Sequence, residues 1–74
     1  MKQLNLNFIK ERRLHLGKTM KEMADTLGYE NASTYLKYES GVYSIKAEQL
    51  PRLAKSLECE ISDFFTISVA EIAI

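Results

Sequence analysis

Apolar positions recur along the 74-residue chain in short bursts with helical spacing, separated by the isolated glycines Gly17, Gly28 and Gly41. In "NFIKERRLHL", Ile9, Arg13 and Leu16 fall on one face at steps of four and three, and Gly17 suits a helix C-terminus. "TMKEMADTLGY" then pairs Thr19 with Glu22 in a capping box and repeats Met20, Met23, Ala24 and Leu27 as an apolar stripe closed by Gly28. A helix of only about eight residues is not stable alone, so its neighbours must pack it. After the turn "YEN", Asn31 is placed to cap a third helix. Steps of 100° put Tyr35, Tyr38 and Glu39 on its inward side and Ala32, Ser33, Leu36 and Lys37 on the other.

"SGVYSI" reads as a loop. "AEQLPRLAKSL" is again amphipathic through Leu50, Leu53, Ala54 and Leu57, and Pro51 belongs in its first turn, which starts the helix near Ala47. "ISDFF" predicts a short helical turn whose Phe64 and Phe65 close the core. The pattern therefore predicts an all-α fold of five helices over residues 1–65, followed by a tail, 66–74. That tail, "TISVAEIAI", has one charge and an ambiguous period: Ile67 and Val69 alternate as in a strand, while Val69, Ile72 and Ala73 share a helical face. Its apolar side either folds back on the core or forms a subunit contact, for which Ile67, Val69, Ile72 and Ile74 are the candidates.

Composition narrows the chemistry. Seventy-four residues make one domain at most, with 46% apolar and 27% charged residues, an ordinary globular balance. No apolar run reaches the roughly 18 residues a membrane span requires. Cys59 is the single cysteine and closes no internal disulfide, which fits the cytoplasm. His15 reads as a surface residue and shares no metal-ligand spacing with Cys59. There is no glycine-rich phosphate loop and no catalytic constellation, so neither a cofactor, a metal nor an enzyme is expected. Ten Lys/Arg balance ten Asp/Glu, yet Met1 to Lys46 holds eight bases against five acids.

Two short helices, 19–27 and about 32–39, joined by a tight glycine-containing turn are a helix-turn-helix signature. Over residues 5–65 the chain resembles the Cro/repressor (XRE-like) helix-turn-helix domains of phage and bacterial regulators. "TMKEMADTLGY" is similar to their second helix, "TYLKYESG" to the recognition helix and its end, and "LPRLAKSLECEISDFF" to the fourth and fifth helices. The resemblance also implies an ion pair between Arg13 and Glu39, which their inward positions support. The alternative is a loose surface pair. Several positions depart from the family pattern. "GYEN" and the loop after Gly41 are each one residue longer than in the lambdoid repressors. Met20 and Ala32 stand where glutamines are frequent, and Glu58 where a glycine often follows the fourth helix.

What the resemblance implies is double-stranded DNA binding, with the outward face of the third helix in the major groove. Lys37 then suits a guanine, Ser33 reads bases of several kinds, and Leu36 and Ala32 suit thymine methyls. Asn31 reaches an adenine if the longer turn aims it inward, and otherwise caps. Lys18, Thr19 and Lys21 would meet phosphates at the start of the second helix. Ser40, Tyr43, Ser44 and Lys46 would do so from the loop after the third. A homodimer on palindromic half-sites, acting as a transcriptional repressor, is the expected form. The alternative is a protein-interaction module of the same fold, an antitoxin or antirepressor.

Overall fold

A computed structural model describes residues 4–65. Asn5 starts the first helix, α1 (Leu6–His15), its side chain accepting from the Phe8 N–H at 3.0 Å. Ile9 and Arg13 are its buried residues. It closes in a Schellman turn: the N–H of Lys18 bonds the Arg13 carbonyl at 3.0 Å, and Gly17 adopts the required positive φ of 70°.

The second helix, α2 (Met20–Leu27), begins with the predicted capping box. The Thr19 hydroxyl accepts from Glu22 N–H at 3.1 Å, and the Glu22 carboxylate accepts from Thr19 N–H at 3.0 Å. That backbone donor, with the hydroxyl, holds the Glu22 carboxyl below its usual range. Met23, Ala24 and Leu27 are buried. Asn31 caps α3 (Ala32–Glu39) by accepting from Thr34 N–H at 2.9 Å. The two helices and their turn pack as the helix-turn-helix pair expected from the pattern.

The five-helix expectation requires correction. Among the described residues there are four α-helices and two 3-10 turns, Ala47–Gln49 and Ile61–Phe65. Regular α-helix begins at Leu50 rather than near Ala47: α4 spans Leu50–Ser56, with Pro51 in its first turn as its ring demands. The "ISDFF" segment remains 3-10 because it is only five residues long and is closed locally. Asp63 accepts from the Glu60 N–H at 2.9 Å while its own N–H bonds the Glu60 carbonyl at 3.0 Å.

Ten residues form the buried core: Ile9, Met23, Ala24, Leu27, Tyr35, Leu50, Leu53, Ala54, Leu57 and Phe64. Phe64 is fully enclosed and meets Phe8 edge-on at 6.2 Å, while Phe65 stays half-buried. Tyr38 is likewise only half-buried, so of the two inward tyrosines Tyr35 alone enters the core. The tail 66–74, with its strand-or-helix question and its contact residues Ile67, Val69, Ile72 and Ile74, lies outside the described residues.

The end of α4 carries local strain. The N–H groups of Glu58 and Cys59 bond the carbonyls of Lys55 at 3.2 Å and Ala54 at 3.0 Å, again a Schellman turn. Here the left-handed position is held by Glu58, at φ 53°, the one non-glycine residue with positive φ among those described. An L side chain in that region costs roughly 1–2 kcal/mol. Glu58→Gly should therefore stabilise the domain by about 1 kcal/mol, a rise of about 4–8 °C in Tm for a chain of this size. An unchanged or lower melting temperature by circular dichroism would show that the Glu58 side chain compensates for its backbone.

Candidate nucleic-acid interface

One end of the interface is anchored by a buried ion pair. Arg13 Nε donates to Glu39 Oε2 at 2.9 Å and Nη2 to Oε1 at 3.0 Å, a fork on a carboxylate. The third guanidinium nitrogen, Nη1, donates to the Lys18 carbonyl at 3.0 Å. The two side chains are only 7% and 3% exposed. The pair implied by the resemblance is thus present and buried, and the surface alternative does not hold. Hydrogen bonding to Glu39 raises the Arg13 pKa against the opposing effect of burial. The contact joins the C-terminus of α3 to α1 and, through Lys18, to the segment leading into α2. It therefore fixes the pose of α3 relative to the start of α2.

The outward face of α3 is as the 100° sorting predicts. Ser33, Leu36 and Lys37 are exposed and Ala32 is half-buried. Leu36, at 44% exposure, is a large apolar side chain without cover in the isolated protein. Lys37 Nζ sits 5.4 Å above the Tyr43 ring, a cation–π contact that holds the ammonium near the loop after α3. Asn31 is committed at Oδ1: besides the Thr34 N–H, it accepts the hydroxyls of Thr34 at 3.0 Å and Ser33 at 2.7 Å. Its capping role is therefore made, and the Ser33 hydroxyl proton points to Asn31 in this arrangement.

The residues assigned to phosphates divide into two groups. At the start of α2, Thr19 and Lys21 are exposed and Lys18 is half-buried. Lys21 pairs with Asp25 at 2.9 Å, but both ends are more than half exposed, so the pair is weak. Beyond α3, Ser40, Tyr43, Ser44 and Lys46 are all exposed. The Ser40 hydroxyl donates to the Lys37 carbonyl at 3.3 Å, and the Tyr43 N–H bonds that same carbonyl at 3.1 Å. The second group is tied to α3 by these bonds, and the first lies at the start of α2, the helix that packs on α3. One acid, Glu30, is exposed in the turn before it.

Several features have no counterpart in the periodicity. Tyr38 stacks flat on Tyr29 at 4.6 Å and meets Tyr43 edge-on at 5.4 Å, so three tyrosines tie together the turn before α3, the helix and the loop after it. Burial, with Tyr38 beside it, raises the Tyr29 phenol pKa. Arg12 donates from Nε to the Leu57 carbonyl at 2.8 Å and from Nη2 to the Glu58 carbonyl at 3.2 Å, a cation at the C-terminus of α4. The Tyr35 hydroxyl is buried with no hydrogen-bond partner among the described residues, and burial, then the nearby Glu39 carboxylate, push its pKa well above the usual range. The only sequence signal for any of these was the density of tyrosine around the third helix.

Among the described residues no His, Cys, Asp or Glu cluster is arranged to hold a metal, and no helix is long and apolar enough to cross a membrane. No curated protein and no solved structure shows significant similarity to the chain. A family model described as helix-turn-helix, however, matches residues 9–64, well over half of the sequence, from within α1 into the last 3-10 turn. With the buried Arg13–Glu39 clamp, the capped α2–α3 pair and this match in hand, the chain belongs to the Cro/C1-type helix-turn-helix family of DNA-binding transcriptional regulators.

Proposed function

We propose that the protein is a small dimeric repressor that reads a palindromic operator through the outward face of α3. The observation that carries this reading is the exposed Ser33–Leu36–Lys37 face, together with exposed polar and basic groups at the start of α2 and in the loop after α3. Lys37 is the donor for a guanine edge, and Leu36 and Ala32 supply apolar contact for thymine methyls. Asn31 serves mainly as the cap, with adenine contact confined to its amide. Lys18, Thr19, Lys21, Ser40, Tyr43, Ser44 and Lys46 hold the backbone and fix register without reading sequence. Occupying an operator is sufficient for repression when it overlaps the site polymerase must use.

The charge distribution argues for pairing. Net charge is zero, and counterion release from one monomer's few phosphate contacts supports only weak binding. Two copies on half-sites one helical turn apart, about 34 Å, double those contacts. A second reading, a protein-binding module, is favoured by the same neutrality together with the exposure of Val42, at 69%, beside Tyr43.

Operator selection from a random duplex library, followed by salt titration on the enriched site, separates the two readings. A palindrome whose log affinity falls with log salt at a slope near −0.9 per phosphate contact is the expected result. A folded protein that enriches no sequence would overturn the DNA reading and favour the protein partner.

A further inference from the structure

The chain doubles back on α3 directly after its end. The Ser40 N–H bonds the Leu36 carbonyl at 2.8 Å, the Gly41 N–H bonds that of Tyr38 at 3.3 Å, and Gly41 turns the backbone at φ 89°. A side chain there would be strained, and its Cβ would also come within 3.2 Å of Leu6 Cδ1. The turn returns Tyr43 to residue 37, which it meets twice. The Tyr43 N–H donates to the Lys37 carbonyl at 3.1 Å, and its ring lies under the Lys37 ammonium at 5.4 Å. The ring is itself held: Tyr38 meets it edge-on at 5.4 Å, and Tyr38 is stacked on Tyr29 at 4.6 Å with the planes only 5° apart. Tyr29 and Tyr38 are half-buried, whereas Tyr43 is 45% exposed. Among the described residues no carboxylate pairs with Lys37, so the Tyr43 ring is what locates its charge.

We propose that Tyr43 is a positioning residue for sequence reading: its ring holds the Lys37 ammonium at the C-terminal end of the outward face of α3 and so fixes which base pair Lys37 reads. The proposal rests on the DNA-binding reading above and deepens it at one residue. An unrestrained lysine is a point charge on a flexible four-carbon stem, and such a charge serves phosphates and neighbouring guanines alike. A ring under the ammonium orders the stem before DNA arrives, which lowers the cost of one guanine contact and not of its alternatives. The ammonium has three donors, and contact with a π-face leaves others free for guanine O6 and N7. The stacked Tyr29–Tyr38 pair is the mount, because it keeps the Tyr43 ring from swinging off the end of α3. The ring carries this role, so it is separable from the phosphate contact assigned to the Tyr43 hydroxyl.

The test compares full-length Tyr43→Leu and Tyr43→Phe on the selected operator and its single-base variants, with folding checked by thermal melts. Tyr43→Leu should lose about two- to fivefold of the discrimination at the base pair that Lys37→Ala identifies, the range a cation–π contact supports. Tyr43→Phe should keep it, since the ring remains. Added to Lys37→Ala, Tyr43→Leu should change discrimination at that base pair no further. Discrimination unchanged or sharpened in Tyr43→Leu would overturn the proposal, because the ring would then be idle or would park the ammonium away from the bases. Equal weakening on every sequence by both Tyr43 variants would also overturn it and leave only the hydroxyl on a phosphate. An operator whose discrimination survives Lys37→Ala would instead remove the base reading by Lys37, and the positioning with it.

Discussion

Glu39→Ala is expected to lower the stability of the domain by about 3–5 kcal/mol, because it leaves the Arg13 guanidinium buried with no counter-charge. In the intact protein both carboxylate oxygens are engaged by that guanidinium, at 2.9 and 3.0 Å, and only the Lys18 carbonyl would remain to it. A domain of this size has a total stability of roughly 5–15 kcal/mol, so the loss is a large share of the whole. Arg13→Lys should also be destabilising, since an ammonium cannot form the two-pronged contact. Replacing both residues with well-packed apolar side chains, Arg13→Met with Glu39→Leu, should recover most of the loss, because no buried charge then remains. Urea unfolding of the single and double variants measures each term. Equal stability of Glu39→Ala and the parent would mean that water reaches the guanidinium once the carboxylate is removed.

Lys37→Ala should have the largest effect on recognition and almost none on folding. A lysine on a guanine edge supplies about 1–3 kcal/mol of discrimination at one base pair. Its contact with the exposed Tyr43 ring contributes only about 0.5–1 kcal/mol to the free protein. The variant should therefore retain its melting behaviour while accepting substitutions at one position of each half-site. Competition binding against single-base variants of the selected operator reads this directly. If every sequence weakens by the same factor, with a shallower salt dependence, Lys37 contacts a phosphate and the reading of bases falls to Ser33 and Leu36.

What was legible in the sequence is mostly what neighbouring residues settle among themselves. Thr19 and Glu22 are three residues apart and complete their two hydrogen bonds within one turn. Gly17 and Gly28 supply the positive φ at the ends of α1 and α2, and Pro51 could only occupy a first turn. The outward face of α3 followed from helical geometry alone. Local rules were weaker on helix type: they did not distinguish a short α-helix from a 3-10 turn at Ala47–Gln49 or Ile61–Phe65, where one or two hydrogen bonds decide. The Arg13–Glu39 pair spans 26 positions and came from family resemblance, with periodicity supporting it only by turning both residues inward.

Other features depended on tertiary packing because their partners are distant in the chain. Nothing in the periodicity singles out Arg12, yet the close approach of α1 to the end of α4 brings it to carbonyls 45 and 46 positions away. Tyr38 was sorted inward with Tyr35, but the turn and loop on either side of α3 offered it two aromatic faces, so it stayed half-buried between them. Glu58 was visible as a departure from a familiar glycine; only the backbone showed that it adopts the glycine's conformation and bears the strain. The sequence by itself determined where α1 to α4 lie, the caps of the first three and the outward face of α3, since these depend on contacts within a few residues. The tertiary structure decided the buried clamp's geometry, the tyrosine stack and the docking of Arg12 on the end of α4. Each of these forms only where segments far apart in the chain are brought together by the shared core.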